Sequence, residues 1–272
     1  MNPVMRKCLL LLPLFLSAML SRSQSYPSNL TFQKNVYPVA TLQVPYAEDV
    51  VSNAVREYML AKGFTEAHYK DFMVFRSVPL DPGSAQSSDA YFNIVQKSHA
   101  EKDISIVSLL PVKKGATLAP ANTEDSSGLR FAMMYLDSMR YHMHSYSMKQ
   151  QIQAQQKMVD KIKSKMLVLK NDSGDLAKKI RGYESDLAQN KKDQDKQTRE
   201  ISSMSVGDEA GLAKAHKKMD KLLDEQTDYE KKLRNYKAEL EKNTEDRATE
   251  QSIFDTANGQ LEALKKRLDN LK

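Results

Sequence analysis

Cysteine and tryptophan are almost absent from this sequence of 272 residues, which has one cysteine, Cys8, and no tryptophan. A single cysteine excludes an intrachain disulfide framework and the multi-cysteine ligand sets of structural zinc sites. Glycine is also scarce, with nine in the whole chain, and none forms a GxGxxG, P-loop or GxSxG pattern. The sequence therefore lacks the glycine motifs that are typical of dinucleotide-binding proteins, P-loop nucleotide hydrolases and α/β-hydrolases.

The first 23 residues have the pattern of a secretory signal peptide. Arg6 and Lys7 precede an uncharged run that ends at Leu20, and the small residues Ser21 and Ser23 follow. We predict cleavage before Gln24, which makes residues 1–23 a signal peptide and the mature protein periplasmic or secreted. A retained anchor is the alternative, but the run is shorter than the roughly 20 apolar residues that span a bilayer. Cys8 leaves with the signal.

The charge balance argues against a nucleic-acid partner. Lys and Arg outnumber Asp and Glu by 41 to 35, which gives a net charge of +6. Removal of Arg6, Lys7 and Arg22 with the signal lowers that charge to about +3, a weak basis for phosphate binding. We expect no nucleic-acid partner and no transmembrane segment in the mature chain.

Residues 24–128 predict a small α+β head domain of order β-α-β-β-β. Apolar spacing predicts a helix over about 46–62, which stops at Gly63. Runs rich in β-branched and aromatic residues predict a mostly antiparallel sheet with that helix on one face. The predicted strands cover residues 39–44, 72–78, 90–97 and 103–110, and residues 111–128 form a connector.

Residues 129–272 predict a long antiparallel coiled-coil hairpin. The sequence indicates a long helix over 129–204, a turn over 205–211 and a second helical arm over 212–272. With Met204 placed opposite Leu212 across the turn, Asn190 faces Gln226 and Ser173 faces Asn243, so polar layers meet polar layers. The a positions of the heptads are Ile152, Val159, Met166, Ser173, Ile180, Leu187, Gln194 and Ile201, then Leu212, Met219, Gln226, Leu233, Leu240, Arg247, Phe254, Leu261 and Leu268.

Four ligand-type residues have the spacing of a zinc site. His99 with Asp103, followed by His142 and His144, resembles the HxxxD and HxH pair of zinc peptidases that cut cell-wall peptides. The glycine of the first motif is missing here. On a helix, moreover, residues i and i+2 point in different directions. We therefore expect no catalytic residues, no metal and no cofactor, so the protein is not an enzyme.

Methionines near His142 and His144 suggest a second candidate metal site, for copper. Thioether and imidazole groups suit Cu(I), but Met is also a common core filler. We favour the core reading, in which one face of the helix packs on the head. Its residues are Leu129, Ala132, Met133, Leu136, Met139 and Met143.

The layout resembles exported bacterial proteins of unknown function that join a small α/β head to a C-terminal coiled coil. It implies an interaction protein whose head docks a protein partner and whose hairpin acts as a spacer or a self-association surface, giving a possible homo-oligomer. No small-molecule substrate is evident. The alternative is a periplasmic holdase-type chaperone that clasps unfolded clients with its helical arms, favoured if Arg247 and Glu250 leave Met166 and Leu169 uncovered.

Overall fold

The computed structural model describes residues 24–81, 87–205 and 208–271. The predicted signal peptide lies outside these residues. The chain divides into two compact units. We call them the head unit, which contains the described residues up to Gln151 together with 267–271, and the helical unit, Ile152–Lys266.

The head unit is built on one antiparallel sheet of six strands, in the order β1-β2-β6-β5-β4-β3. β2 pairs with β6, with Ala40 opposite Leu109 and Val44 opposite Ser105. The strands are β1 (Tyr26–Phe32), β2 (Asn35–Val44), β3 (Glu66–Tyr69), β4 (Phe72–Val78), β5 (Ser88–Gln96) and β6 (Ser105–Lys113).

The predicted order β-α-β-β-β is wrong by two strands, because β1 and β3 are additional edge strands. β3 is four residues long and mostly exposed, so it carries no hydrophobic alternation. It pairs with β4, and Glu66 accepts a hydrogen bond of 2.6 Å from Nε of Arg56. The predicted antiparallel succession of β4, β5 and β6 is confirmed.

Two helices pack on one face of this sheet, which we call the inner face. The first, α1 (Glu48–Ala61), buries Val51, Ala54, Val55 and Met59, which recur at helical spacing. It ends before Gly63, whose φ of +86° suits the residue that follows a helix.

The second inner-face helix is the start of α2 (Ser126–Ser203), whose Ala132, Leu136, Met139 and Met143 are buried in the same core. This confirms the core reading of these methionines. The helix begins three residues earlier than predicted. Asp125 explains the difference, since its Oδ1 accepts hydrogen bonds from the backbone N–H groups of Ser127 and Gly128, at 3.0 and 3.1 Å.

The opposite sheet face, which we call the outer face, is also apolar. Phe32 and Leu118 are partly buried against it, Leu118 on the segment that leads to a short 3₁₀ turn, Pro120–Asn122. The chain after β6 thus partly covers the outer face. The core residues of this face are Tyr37, Val39, Phe72, Val74, Tyr91, Leu110 and Val112.

The helical unit consists of the rest of α2 and of α3 (Glu209–Asp269) up to Lys266, and the two helices contact each other in opposite chain directions. Gln197 donates to the carbonyl of Ala215 at 3.2 Å, whereas Gln155 donates to that of Ala257 at 2.8 Å. α2 is continuous through Gly174, as predicted. None of the described helices is long and apolar enough to cross a membrane.

Candidate functional site

The residues that resemble a zinc site lie on different elements. His99 is exposed in the turn between β5 and β6, whereas His142 and His144 lie in α2. Among the described residues, no group of three or more His, Cys, Asp or Glu side chains is placed to hold a metal ion.

His142 and His144 instead pack against α1 and the end of β2. The Tyr46 hydroxyl makes a short hydrogen bond with Nδ1 of His144. The His142 ring lies 5.3 Å from that of Tyr58, and its Nε2 is 3.8 Å from Oε1 of Glu57, beyond hydrogen-bond range. Burial lowers the pKa of both imidazoles and raises the pKa of Tyr46 to about 12. The two histidines therefore take part in the packing of α2 against α1 and the end of β2.

A different polar centre lies on the outer face around Asp89, whose exposed fraction is 1%. Its Oδ2 accepts hydrogen bonds from Nη1 of Arg76 at 2.6 Å and from the backbone N–H of Gly115 at 3.2 Å. Its Oδ1 accepts one from the backbone N–H of Ser77 at 2.9 Å. The buried carboxylate is therefore fully engaged, and it joins β4, β5 and the turn after β6.

A β-bulge in β4 creates this centre. Between the pairs Phe75–Ala90 and Val78–Ser88, β4 has one residue more than β5. The backbone accommodates the extra residue at Ser77, whose φ of +55° lies in the left-handed region. The backbone N–H of Ser77 is thereby available to Asp89.

Arg76 connects the buried carboxylate to the surface. Its Nη1 also donates to the Tyr91 hydroxyl at 3.1 Å, and its guanidinium carbon lies 5.6 Å from the centroid of that ring. The hydrogen bond to Asp89 raises the pKa of Arg76, so this side chain stays charged. Half of the side chain, 51%, is exposed.

An open groove surrounds Arg76 on the outer face, and we call it the Arg76 groove. One wall carries the rings of Tyr69 and Tyr91, whose centroids are 6.2 Å apart in an edge-to-face arrangement. The other wall is the segment after β6, including Lys114. The groove therefore combines positive charge with aromatic and aliphatic surface. Its lining residues are Tyr69, Arg76, Ser77, Asp89, Tyr91, Lys114, Gly115, Ala116, Thr117 and Leu118.

The sequence analysis identified no binding residues, and it missed this groove. Arg76 and Asp89 stand alone in otherwise β-rich runs, which is the one signal that the sequence offers. A charge of each sign at outer-face positions of neighbouring strands indicates a cross-strand ion pair.

In the helical unit, polar side chains form a chain of hydrogen bonds between α2 and α3. Nε2 of Gln194 donates to Oδ1 of Asn190 and to Oε1 of Gln226, both at 2.7 Å. Asn190 donates in turn to the carbonyl of Leu222 at 3.1 Å. Asn190 and Gln226, which were predicted to face each other, are thus linked by hydrogen bonds through Gln194.

A second groove lies between α2 and α3, and we call it the Arg247 groove. It is lined by Met166, Leu167, Lys170, Thr244, Arg247, Ala248 and Gln251. Glu250, at a core position, is buried and forms an ion pair with Lys165. Leu167 and Val168 remain more than half exposed, at 58% and 56%. Met166 and Leu169, which the sequence analysis placed beside Arg247 and Glu250, are half-buried, so they are only partly uncovered.

We compared the chain with protein-family models, with curated proteins and with solved structures, and found no match.

Proposed function

We propose that this chain is an exported interaction protein whose head unit docks a protein partner. In this proposal α2 and α3 form an antiparallel coiled-coil hairpin that serves as a spacer or a self-association surface. The observation that carries the docking role is the Arg76 groove, which is open and holds a charged guanidinium beside the ring of Tyr91. Arginine and tyrosine are the residue types enriched at the centres of protein interfaces.

Heptads and interhelical contacts support the hairpin. Tyr183 contacts both Tyr229 and Tyr236, and the buried cluster at the other end joins Ile162 of α2 to Leu261 of α3. Side chains that interdigitate in this way are typical of knobs-into-holes packing. The hydrogen bonds of Asn190, Gln194 and Gln226 favour one register, because a shifted register would break them.

Spin labels at Leu187 and Tyr229 test the hairpin. Antiparallel neighbours place the two labels within about 15 Å in a monomer, from the helix spacing plus label length. One continuous helix would separate them by about 63 Å. Dilution of the doubly labelled chain with unlabelled chain separates contacts within a chain from those between chains. A long distance in the diluted sample contradicts the hairpin, and with it the spacer role.

Site-specific photocrosslinking tests the docking role in cells that express the full chain. A photoreactive amino acid replaces Leu118, which lines the Arg76 groove, or Tyr141, which is exposed on α2 of the same unit. We expect one discrete protein adduct from position 118 and none from position 141, with the partner identified by mass spectrometry. Identical adducts from both positions, or none from either, contradict the proposal.

The holdase-type alternative is favoured by a different observation, the exposure of Leu167 and Val168 beside the Arg247 groove. Adjacent exposed apolar residues offer a contact for unfolded chains. If the helical arms clasp clients, the chain suppresses the light scattering of a heat-denatured model protein, and L167Q/V168Q reduces that suppression. Leu223→Gln is the matched control, since Leu223 is exposed but does not line that groove. Equal suppression by both variants, or none by the native chain, contradicts the alternative.

A further inference from the structure

One nitrogen of the Arg76 guanidinium, Nη1, donates hydrogen bonds to neighbouring side chains. The edge formed by Nε and Nη2 faces no acceptor among the described residues. Both described hydrogen bonds of this side chain, to Asp89 and to Tyr91, leave from Nη1. Within residues 24–81, 87–205 and 208–271, Nε and Nη2 of Arg76 have no hydrogen-bond partner. That edge carries two parallel N–H donors, the geometry that matches the two oxygens of a carboxylate.

The hydrogen bonds of Asp89 hold this open edge in place. A free arginine side chain loses considerable rotamer entropy when it binds a ligand, whereas one already fixed by a buried partner loses less. Asp89 is itself fixed by the backbone N–H groups of Ser77 and Gly115, at 2.9 and 3.2 Å. The donor edge of Arg76 is therefore organised before any ligand arrives.

The surrounding charge favours an anion. Lys114 lines the Arg76 groove, and Nζ of Lys70 lies 5.5 Å from the ring centroid of Tyr69 at its rim. Asp89 is the one acidic residue among the described lining residues, and its buried carboxylate already neutralises part of Arg76. An excess of positive charge remains at the surface of the groove.

Apolar surface lies next to the donor edge. Tyr69 is exposed to 37%, and Ala116 and Leu118 line the opposite wall. Such a surface gains free energy by covering an aromatic or aliphatic group of the ligand. A hydrated inorganic anion would use the charge and leave this surface uncovered.

We propose that the Arg76 groove binds a carboxylate that is attached to an aromatic or aliphatic group. The carboxylate lies on the Nε–Nη2 edge of Arg76, and the apolar group packs between Tyr69 and Leu118. A free organic acid and the C-terminal residue of a peptide share this chemistry. The inference deepens the proposed docking role and rests on it, because the groove is the docking site of that proposal.

Calorimetric titration of the full mature chain tests this inference without the unknown partner. The probes are N-acetylphenylalanine and its amide, which differ only in the charged group, and a pentapeptide that ends in phenylalanine with a free or an amidated C-terminus. We expect each acid to bind at least about tenfold more tightly than its amide, because hydrogen bonds between a guanidinium and a charged carboxylate are stronger than those to a neutral amide. Tighter binding of the peptide assigns the peptide C-terminus as the source, whereas equal affinities assign a free acid.

Substitutions at Arg76 locate the site. Arg76→Lys keeps the positive charge beside Asp89 but removes the planar fork, and we expect it to weaken acid binding about tenfold with an unchanged circular dichroism spectrum. Arg76→Gln removes the charge as well and should abolish binding. Arg130→Gln, at an exposed position of α2, is the control of equal charge change.

Several results overturn the inference. They are equal affinity for acid and amide, no binding of any probe, Arg76→Lys binding as tightly as the native chain, and inorganic phosphate binding as tightly as the acid. Probe binding without any adduct in the crosslinking experiment would leave the carboxylate site in place while contradicting the protein-docking role. The two failures are therefore distinguishable.

Discussion

Tyr183 of α2 stacks on Tyr236 of α3, with ring centroids 5.6 Å apart and ring planes 16° from parallel. Tyr229, seven residues earlier on α3, also lies 6.2 Å from Tyr183. Tyr183 is thus held between two tyrosines that lie one heptad apart on the other helix. A shift of either helix by one heptad would remove it from one of these rings, so the three tyrosines contribute to the register.

The stacked pair predicts a measurable coupling energy. In a double-mutant cycle of Tyr183→Ala and Tyr236→Ala, we expect a coupling of about 0.5 to 1.5 kcal/mol in the free energy of unfolding. Urea titration followed by circular dichroism measures it. The control cycle pairs Tyr183→Ala with Tyr141→Ala, which should be additive within about 0.5 kcal/mol. A coupling near zero for the stacked pair would contradict this packing.

The cluster around Leu261 predicts a strong effect of truncation. Leu261 is 2% exposed and packs with Val159, Ile162 and Ala257. Leu261→Ala removes buried methyl groups and leaves a cavity, so we expect the free energy of unfolding to fall by about 2 to 4 kcal/mol. Leu223→Ala, at a position that is 46% exposed, should cost less than about 1 kcal/mol. Similar costs for the two variants would be the contrary result.

The half-buried His142 and His144 predict a loss of stability in mild acid. Burial lowers the pKa of His142 and of His144 in the folded chain, whereas the unfolded chain keeps the ordinary value of about 6.5. Below about pH 6.5 these two imidazoles therefore bind more protons in the unfolded state than in the folded state. The free energy of unfolding should therefore fall as the pH drops from 6.5, and these groups should contribute no pH dependence above about pH 7.5.

Neighbouring charges moderate this effect at His142. Glu57 favours its protonated form and Lys149 opposes it, whereas His144 faces Tyr46, which is neutral in this range. The variant H142Q/H144Q should flatten the pH dependence between 5 and 6.5, measured as the urea midpoint at each pH. A slope that survives in H142Q/H144Q would point to carboxylates instead.

The buried carboxylate predicts a large cost of removal. Asp89→Ala would leave the N–H groups of Ser77 and Gly115 and the Nη1 of Arg76 without their acceptor. We expect the head unit to lose about 2 kcal/mol or more of unfolding free energy. Chemical denaturation followed by tyrosine fluorescence measures this loss. Asp137→Ala is a control of equal charge change, since Asp137 accepts hydrogen bonds from Ser25 near the start of the described chain.

The sequence of residues 1–23 predicts export with cleavage before Gln24. N-terminal sequencing of the protein recovered from outside the cytoplasm should begin at Gln24. Replacement of Leu10 and Leu12 by Asp should keep the chain inside the cell, because the apolar run is interrupted. A recovered exported protein that still begins at Met1 would rule out cleavage.

Elements with strong local patterns were predictable. α1 and β4 follow from apolar spacing and from a β-rich run, and both match their predicted bounds within two residues. β1 and β3 were not, because an edge strand is defined by its partner more than by its own residues. The mostly exposed residues Glu66–Tyr69 form a strand only because they pair with Phe72–Phe75. Their own sequence has no alternating apolar pattern that would predict a strand.

The Arg76 groove depends on relationships that are not local in the sequence. Gly115 follows Asp89 by 26 residues, and the register of β5 with β6 places its N–H beside that carboxylate. The bulge at Ser77 is also invisible locally, since serine has no preference for a positive φ. Such a site becomes predictable only after strand pairing and register are known.

The pairing of β2 with β6, which are far apart in the sequence, has a consequence for the order of folding. During synthesis β2 has only β1 as a neighbour, a two-stranded hairpin that is marginally stable in water. Its second partner is absent until the ribosome has passed Lys113, and the inner-face core also requires Met139 and Met143. The head therefore cannot complete its core on a shorter nascent chain. It should fold late and cooperatively, with a rate limited by closure of the long segment between β2 and β6.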